Sequence, residues 1–468
     1  MRVKAPIALF VVATEALFLL KLGPFGVEYV LSSLLVTVAL LLQLTFAVRS
    51  DAPSPASIIV FIFNWLFLHF APRLQLIYSH TRLINTSSVV PGRVLTTDLM
   101  CAIFIGVYTA LYAALVSRRQ KESHRSIASQ GEPPEVRPYR PLAILTTVVV
   151  CCIAVVIVRP YVIAIGDSMA YGSGSTSSPM LLLGSKYFLF LPSAAFLILL
   201  NETVSRSKAW TFSRGCVLLI LLVLVAATEN PSLEGRNSLG PIYLGIILVA
   251  GQRWLRTFGR QSMLLLGGMV FVFPIAGLLT HNGELSFQSI VDSMENHYLE
   301  LHYDAWANTY STIEFVHRKG LAWGHQLGGT LLFFVPSAWW HGKASATGIV
   351  IGRYLMATYK MWFTNLSAPL VAEGYIDFGV AGVAAYACAL AALVSALERL
   401  ACKDSWYAYP LSIYFSIFLL FALRGALMAA FAYGAGEMAA FLTIALLLSR
   451  GRKQKMPFSG RYQSPALS

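Results

Sequence analysis

The chain has 468 residues and is 57% hydrophobic but only 12% charged, against about 25% charged for an ordinary soluble domain. So little polar surface cannot clothe a water-exposed globule, which excludes a soluble enzyme, a disordered chain and a nucleic-acid binder. What remains is an all-α polytopic integral membrane protein, and the net charge of +13 fits it, because Lys and Arg are retained on the cytoplasmic side of membrane proteins.

Twelve apolar stretches approach the roughly 20 residues that a helix needs to cross a bilayer. They lie at 6–22, 28–48, 55–72, 98–117, 142–163, 186–203, 214–228, 239–251, 262–280, 371–396, 407–423 and 427–449. The first follows Arg2 and Lys4 and has no small-residue cleavage pattern behind it, so it reads as a retained helix and not as a signal peptide. With the N-terminus inside, the alternate loops hold well over half of the 35 Lys and Arg residues. That asymmetry predicts about twelve transmembrane helices with both termini cytoplasmic. The whole chain is then one membrane domain, with residues 281–370 as a large periplasmic loop between the ninth and tenth helices. Within it, 327–340 and 344–363 are apolar but short, and Pro336 interrupts the first. They are expected to pack as amphipathic or re-entrant helices. No internal repeat is visible, whereas common transporter folds are built from inverted repeats. The six cysteines are scattered without a CxxC pair, which argues against a disulfide framework or a structural zinc site.

Chemistry is expected in and around the loop. His281, His297, His302, His317, His325 and His341 fall there, but without HExxH or another metal-ligand spacing, so no metal is expected. In residues 292–310, Asp304 and Asn308 are four apart and share a helical face. Tyr303, Trp306 and Tyr310 form an aromatic one, suited either to stacking on sugars or to anchoring at a membrane interface. Arg236, Lys343, Arg353 and Arg424 are basic residues near the outer boundary. A guanidinium there needs an anion or water, and its planar fork matches phosphate oxygens. The opposing reading is snorkelling or a structural ion pair. Residues 365–379 put Asn365, Ser367, Glu373 and Asp377 at the entrance of an apolar helix. Glu373 is a candidate general base, or the partner of Arg353 or Arg424. Charges gather at the outer boundary with few deep in the helices, which favours an enzyme over a carrier. No nucleotide-binding motif is present, so the energy of a reaction has to arrive with a membrane-borne or periplasmic substrate.

The sequence resembles the Wzy family, the O-antigen or oligosaccharide repeat-unit polymerases of bacterial envelopes. The resemblance is carried by Asp304, Asn308, Gly324, Gly328, Pro336, Lys343, Thr347 and Gly348. It continues through Asn365, Ser367, Glu373, Tyr375, Phe378 and Gly379, then Arg424-Gly425, and also Asn230-Pro231 followed by Arg236. The chain departs from the family pattern after Pro336, where Ser337 stands in place of an arginine. The motifs cover the C-terminal half. The resemblance implies a cofactor-free, metal-independent, inverting glycosyltransferase of the bacterial inner membrane with its site facing the periplasm. Its substrates would be undecaprenyl-pyrophosphate-linked glycans, and a chain-length regulator and a flippase would share its membrane. Arg236, Arg353 and Arg424 would hold pyrophosphate, Glu373 would be the base with His325 as substitute, and Asp304, Asn308, Lys343, Asn365 and Tyr375 would bind substrate. Rival classes are a ligase moving the glycan to another acceptor and a non-enzymatic flippase.

Overall fold

The computed structural model describes residues 4–49, 51–78, 89–126, 139–170, 179–205, 211–230, 236–255, 257–272, 286, 297–336, 338–403 and 405–449. The side chains of 119–126, 158–170, 179–183, 185, 236–238 and 272 also lie outside the description. The described elements are helical. They are α1 (Lys4–Leu22), α2 (Val27–Phe46), α3 (Ala56–Tyr78), α4 (Pro91–Ser126), α5 (Pro141–Ala170), α6 (Pro179–Ser205), α7 (Phe212–Thr228), α8 (Arg236–Ala250) and α9 (Phe258–Gly267). After the loop come α10 (Ala305–Lys319), α11 (His325–Leu331), α12 (Thr347–Tyr359), α13 (Leu370–Ala401), α14 (Ala408–Arg424) and α15 (Leu427–Ser449).

The chain is an all-α polytopic membrane protein. The count of twelve membrane helices is corrected: among the described residues seven are long and apolar enough to cross. These are α1 with its 3-10 extension, α2, α3, α4 through Arg118, α6 from Lys186, α13 and α15. The apolar stretches of α7, α8 and α14 span 10–17 residues, as does Pro141–Ile157, the part of the 30-residue α5 whose side chains are described. At 1.5 Å per residue, 17 residues reach only about 25 Å, short of the roughly 30 Å hydrocarbon core. Local chemistry sets the ends of α7 and α14. Thr211 caps the start of α7 by accepting a hydrogen bond from the Arg214 amide, while α14 stops at Arg424-Gly425. The segment expected at 262–280 is helical through Val272, and its remainder lies outside the described residues. Both termini were placed on one side by an even number of crossings, so that placement no longer follows from the count.

Two apolar cores divide the bundle. One is built from α1–α4 with α10 and α13, the other from α5–α8 with α15. Helix α14 joins them, giving Leu419 and Leu423 to the first and Leu411, Ile413 and Tyr414 to the second. α13 is broken: Phe378 and Gly379 leave helical geometry, and Gly379 takes φ 61°, which glycine adopts without a Cβ penalty. The break frees the Ile376 and Asp377 carbonyls, which accept from the Ala322 and Trp323 amides at 2.8 and 3.0 Å. The loop is thereby fastened to the mouth of a long apolar helix.

α12 lies almost against residues 364–366. A methyl group on Gly348 would overlap the Leu366 carbonyl, and one on Gly352 the Thr364 carbonyl. Gly348→Ala therefore has to push backbone from backbone, an overpacking that costs about 1–3 kcal/mol. A melting temperature equal to that of the parent would show that this contact is loose.

Candidate functional site

The sequence-nominated residues that meet are Asp304, Asn308 and Arg424, joined by Ser367. Asp304 stands at the start of α10, and Asn308 one turn later donates from Nδ2 to Asp304 Oδ2 at 2.7 Å. Ser367 Oγ donates to Asp304 Oδ1 at 2.6 Å, and Asn308 Nδ2 also reaches the Ser367 carbonyl at 2.9 Å. Arg424, the last residue of α14, sets Nη2 3.5 Å from Asp304 Oδ1 and donates it to the Leu301 carbonyl at 3.2 Å. Its Nε is buried without a hydrogen-bond partner among the described residues, while the side chain as a whole is 32% exposed. Asp304 is thus a neutralised, fully hydrogen-bonded carboxylate that aims a guanidinium. The part of that guanidinium that reaches the surface has the planar fork that matches phosphate oxygens.

Glu373 sits beside this group but is occupied. Its Oε2 accepts from Thr347 Oγ1 at 2.5 Å and its Oε1 from the Leu427 amide at 2.9 Å, and the residue is 2% exposed. Leu427 opens α15, where a carboxylate is favoured by the helix dipole. Asp304 through Arg424 and Glu373 through Leu427 therefore clamp the α14–α15 corner from two sides. Asp377 does the same for α11, accepting from the Gln326 and Leu327 amides at 3.0 and 2.9 Å.

Two other nominated residues hold the loop. His325 sets Nε2 2.7 Å from the Gly342 carbonyl. A carbonyl only accepts, so Nε2 carries the hydrogen, and in the neutral form of this exposed ring Nδ1 is the atom with the lone pair. Lys343 Nζ donates to the Phe333 and Val335 carbonyls at 2.5 and 2.8 Å, and burial lowers its pKa. Arg353 and Asn365 are exposed, and Tyr375 is half-buried against the first core. Arg236 begins α8, but its side chain lies outside the described residues, as do His281 and Ser337. Tyr303, Trp306 and Tyr310 do not form a sugar-facing surface: all three are fully buried. Among the described residues no group of three or more His, Cys, Asp or Glu side chains is arranged to hold a metal ion.

A second centre escaped the reading of the sequence. Glu314, 1% exposed, accepts from Arg93 at 2.6 Å, Tyr354 at 2.8 Å and Tyr359 at 2.7 Å, and forms an ion pair with Arg318 at 2.8 Å. It ties α10 to α4 and α12. A lone Glu in an amphipathic helix gives no local sign of four partners, three of which are distant in sequence. Burial first, then the hydrogen bond to Glu314, pushes the Tyr354 hydroxyl up to about 12 from 10.0. The folded state favours the neutral phenol, so this contribution is complete below pH 10.0 and lost as pH rises through about 12. Tyr354→Phe should cost about 1.5–3 kcal/mol at neutral pH, and the difference in melting temperature from the parent should shrink above pH 10.0.

Comparison of the chain with protein-family models, curated proteins and solved structures returns no match.

Proposed function

We propose that the protein polymerises polyprenyl-pyrophosphate-linked oligosaccharide repeat units at the periplasmic face of a bacterial inner membrane, by an inverting glycosyl transfer. The observation that carries this reading is Arg424, a 32% exposed guanidinium set against buried Asp304 at the end of a membrane-domain helix. In the step, an acceptor hydroxyl oxygen bonds to the donor's anomeric carbon as the bond from that carbon to pyrophosphate breaks. The electron pair leaves with the pyrophosphate, where a fixed guanidinium stabilises the developing charge, and a base takes the hydroxyl proton. Geometry favours His325 for that base over Glu373. His325 is exposed with an open Nδ1, whereas Glu373 would have to give up Thr347 or Leu427. Arg353, exposed on α12, and Arg236 are the further pyrophosphate ligands of this reading. The partners are undecaprenyl-pyrophosphate-linked glycans, with a chain-length regulator and a flippase beside it.

The test is purified protein in nanodiscs with a polyprenyl-pyrophosphate oligosaccharide, reading product length by mass spectrometry. A ladder with released polyprenyl pyrophosphate supports polymerisation. His325→Gln should then lower turnover by about 10²–10⁴-fold, and unchanged turnover would remove His325 from the role of base. Transfer only to an added non-polyprenyl acceptor would make the protein a ligase. One observation favours the carrier reading instead: Glu15, His69, Arg73 and Asp98 are ionisable and buried within the long apolar helices. The sequence-level preference for an enzyme assumed few such charges. Movement of intact labelled lipid across vesicles without bond formation would select the carrier.

A further inference from the structure

Helices α2 and α3 run antiparallel and are joined by three buried polar pairs. Asn64 Nδ2 donates to Gln43 Oε1 at 3.0 Å, Thr37 Oγ1 lies 3.1 Å from His69 Nε2, and Arg73 Nε donates to Ser33 Oγ at 3.1 Å. A π-turn at Leu66–Phe70 separates the first pair from the second. Five residues of regular α-helix turn about 500°, which would leave His69 some 140° away from Asn64. The wider turn takes up one residue and returns His69, and Arg73 a turn later, to the face that meets α2. Such π-turns occur mostly at functional sites.

From α1, Glu15 Oε2 accepts from Ser33 Oγ at 3.1 Å and lies 3.0 Å from His69 Nε2. Arg73 Nη2 donates to Asp98 Oδ2 at 2.7 Å, and the Trp306 indole donates to Asp98 Oδ1 at 2.8 Å. Glu15 is 4% exposed, His69 0%, Arg73 1% and Asp98 0%. The Arg73 and Asp98 charges cancel, which leaves Glu15 and His69 as a pair of their own. Glu15 Oε1 and His69 Nδ1 are both buried with no hydrogen-bond partner among the described residues. Two unused polar atoms on adjacent groups inside a membrane domain are costly, and ionisable groups at such depth mark ion or proton sites.

We propose that Glu15 and His69 form a proton-binding site within the membrane domain. With the hydrogen of Nε2 directed to Glu15 Oε2, the pair carries one negative charge. Uptake of a proton at Nδ1 forms one N–H bond, breaks none, and brings the pair to neutrality. The charged groups acting on it are Arg73 on the helix of His69 and Asp98 from α4, beside which Cys101 lies. α2 presents the Ser33 and Thr37 hydroxyls, while the Trp306 indole of α10 is taken up by Asp98. The proposal stands apart from the Arg424 centre and from whatever reaction occurs there.

The test is solid-state NMR of the full-length protein, with its nine histidines labelled with nitrogen-15, in lipid bilayers. The signal absent from His69→Gln identifies His69. It should gain a proton at Nδ1 as pH falls from about 9 to about 4, the range around an imidazole midpoint. Glu15→Gln removes the facing carboxylate and should lower that midpoint by about one unit or more, a tenfold weaker affinity for the proton. A His69 signal that does not change over this range, or a midpoint unaffected by Glu15→Gln, would overturn the proposal. If His69→Gln does not fold, Thr37→Val serves instead. It should shift one titrating imidazole signal, and if it shifts none the proposal fails.

Discussion

Replacing Asp98 by alanine is expected to destabilise the folded protein by about 3–5 kcal/mol, the range for removing one partner of a buried ion pair. Asp98 lies 2.7 Å from Arg73, and the two side chains are 0% and 1% exposed. Among the described residues the guanidinium left behind would keep only Ser33 as a hydrogen-bond acceptor, beside the Trp306 ring. The Trp306 indole would lose its acceptor as well. Thermal unfolding followed by size-exclusion chromatography in detergent would read the loss. The control is the double variant Arg73→Met with Asp98→Leu, which removes both charges and should recover most of the loss, because an apolar pair avoids the desolvation of two ions. An Asp98→Ala protein melting with the parent would mean that Arg73 reaches water, contrary to its burial.

Arg424→Ala is expected to lower turnover in the polymerisation assay by about 10²–10³-fold, the usual effect of deleting one group that stabilises charge in a transition state. Arg424→Lys should recover only part of it, since an ammonium supplies a point charge without the planar fork. Fold and chemistry must be separated here, because Arg424 also donates to the Leu301 carbonyl and meets Asp304. The discriminating result is a variant with the parent's melting temperature and a lost product ladder. Full turnover in Arg424→Ala would leave the residue as a pin for the α14–α15 corner and remove the main support for the proposed reaction.

The candidate site was legible in part. Asp304, Asn308 and Ser367 were nominated from spacing and motif, and they do meet. Arg424 was nominated as a boundary cation, and its partner proved to be Asp304 and not Glu373. Glu373 and Asp377, four apart on one helix, receive amides from the starts of two different helices. Helical spacing puts side chains on one face but does not say which backbone ends there. The Glu15–His69–Arg73–Asp98 group was missed for a traceable reason. Arg73 and Asp98 lie at or beyond the edges of the apolar stretches 55–72 and 98–117. Glu15 and His69 lie inside 6–22 and 55–72, where one polar residue among many apolar ones leaves the hydropathy high. The helices run on through Arg73 and Asp98, because each charge is neutralised by the other.

By itself the sequence determined the class of the molecule. Its hydrophobic excess can only be buried in lipid, and lipid forces the backbone to satisfy its own hydrogen bonds as helices. It also located the long helices, since about 20 apolar residues in succession leave little choice of state. Only the tertiary structure decided how many helices are long enough to cross, where α13 breaks, and which carboxylate meets which cation. Those outcomes depend on caps, close backbone approaches and pairings between residues as much as 286 positions apart. Hydropathy sums neighbours along the chain, whereas a buried charge is held by neighbours in space.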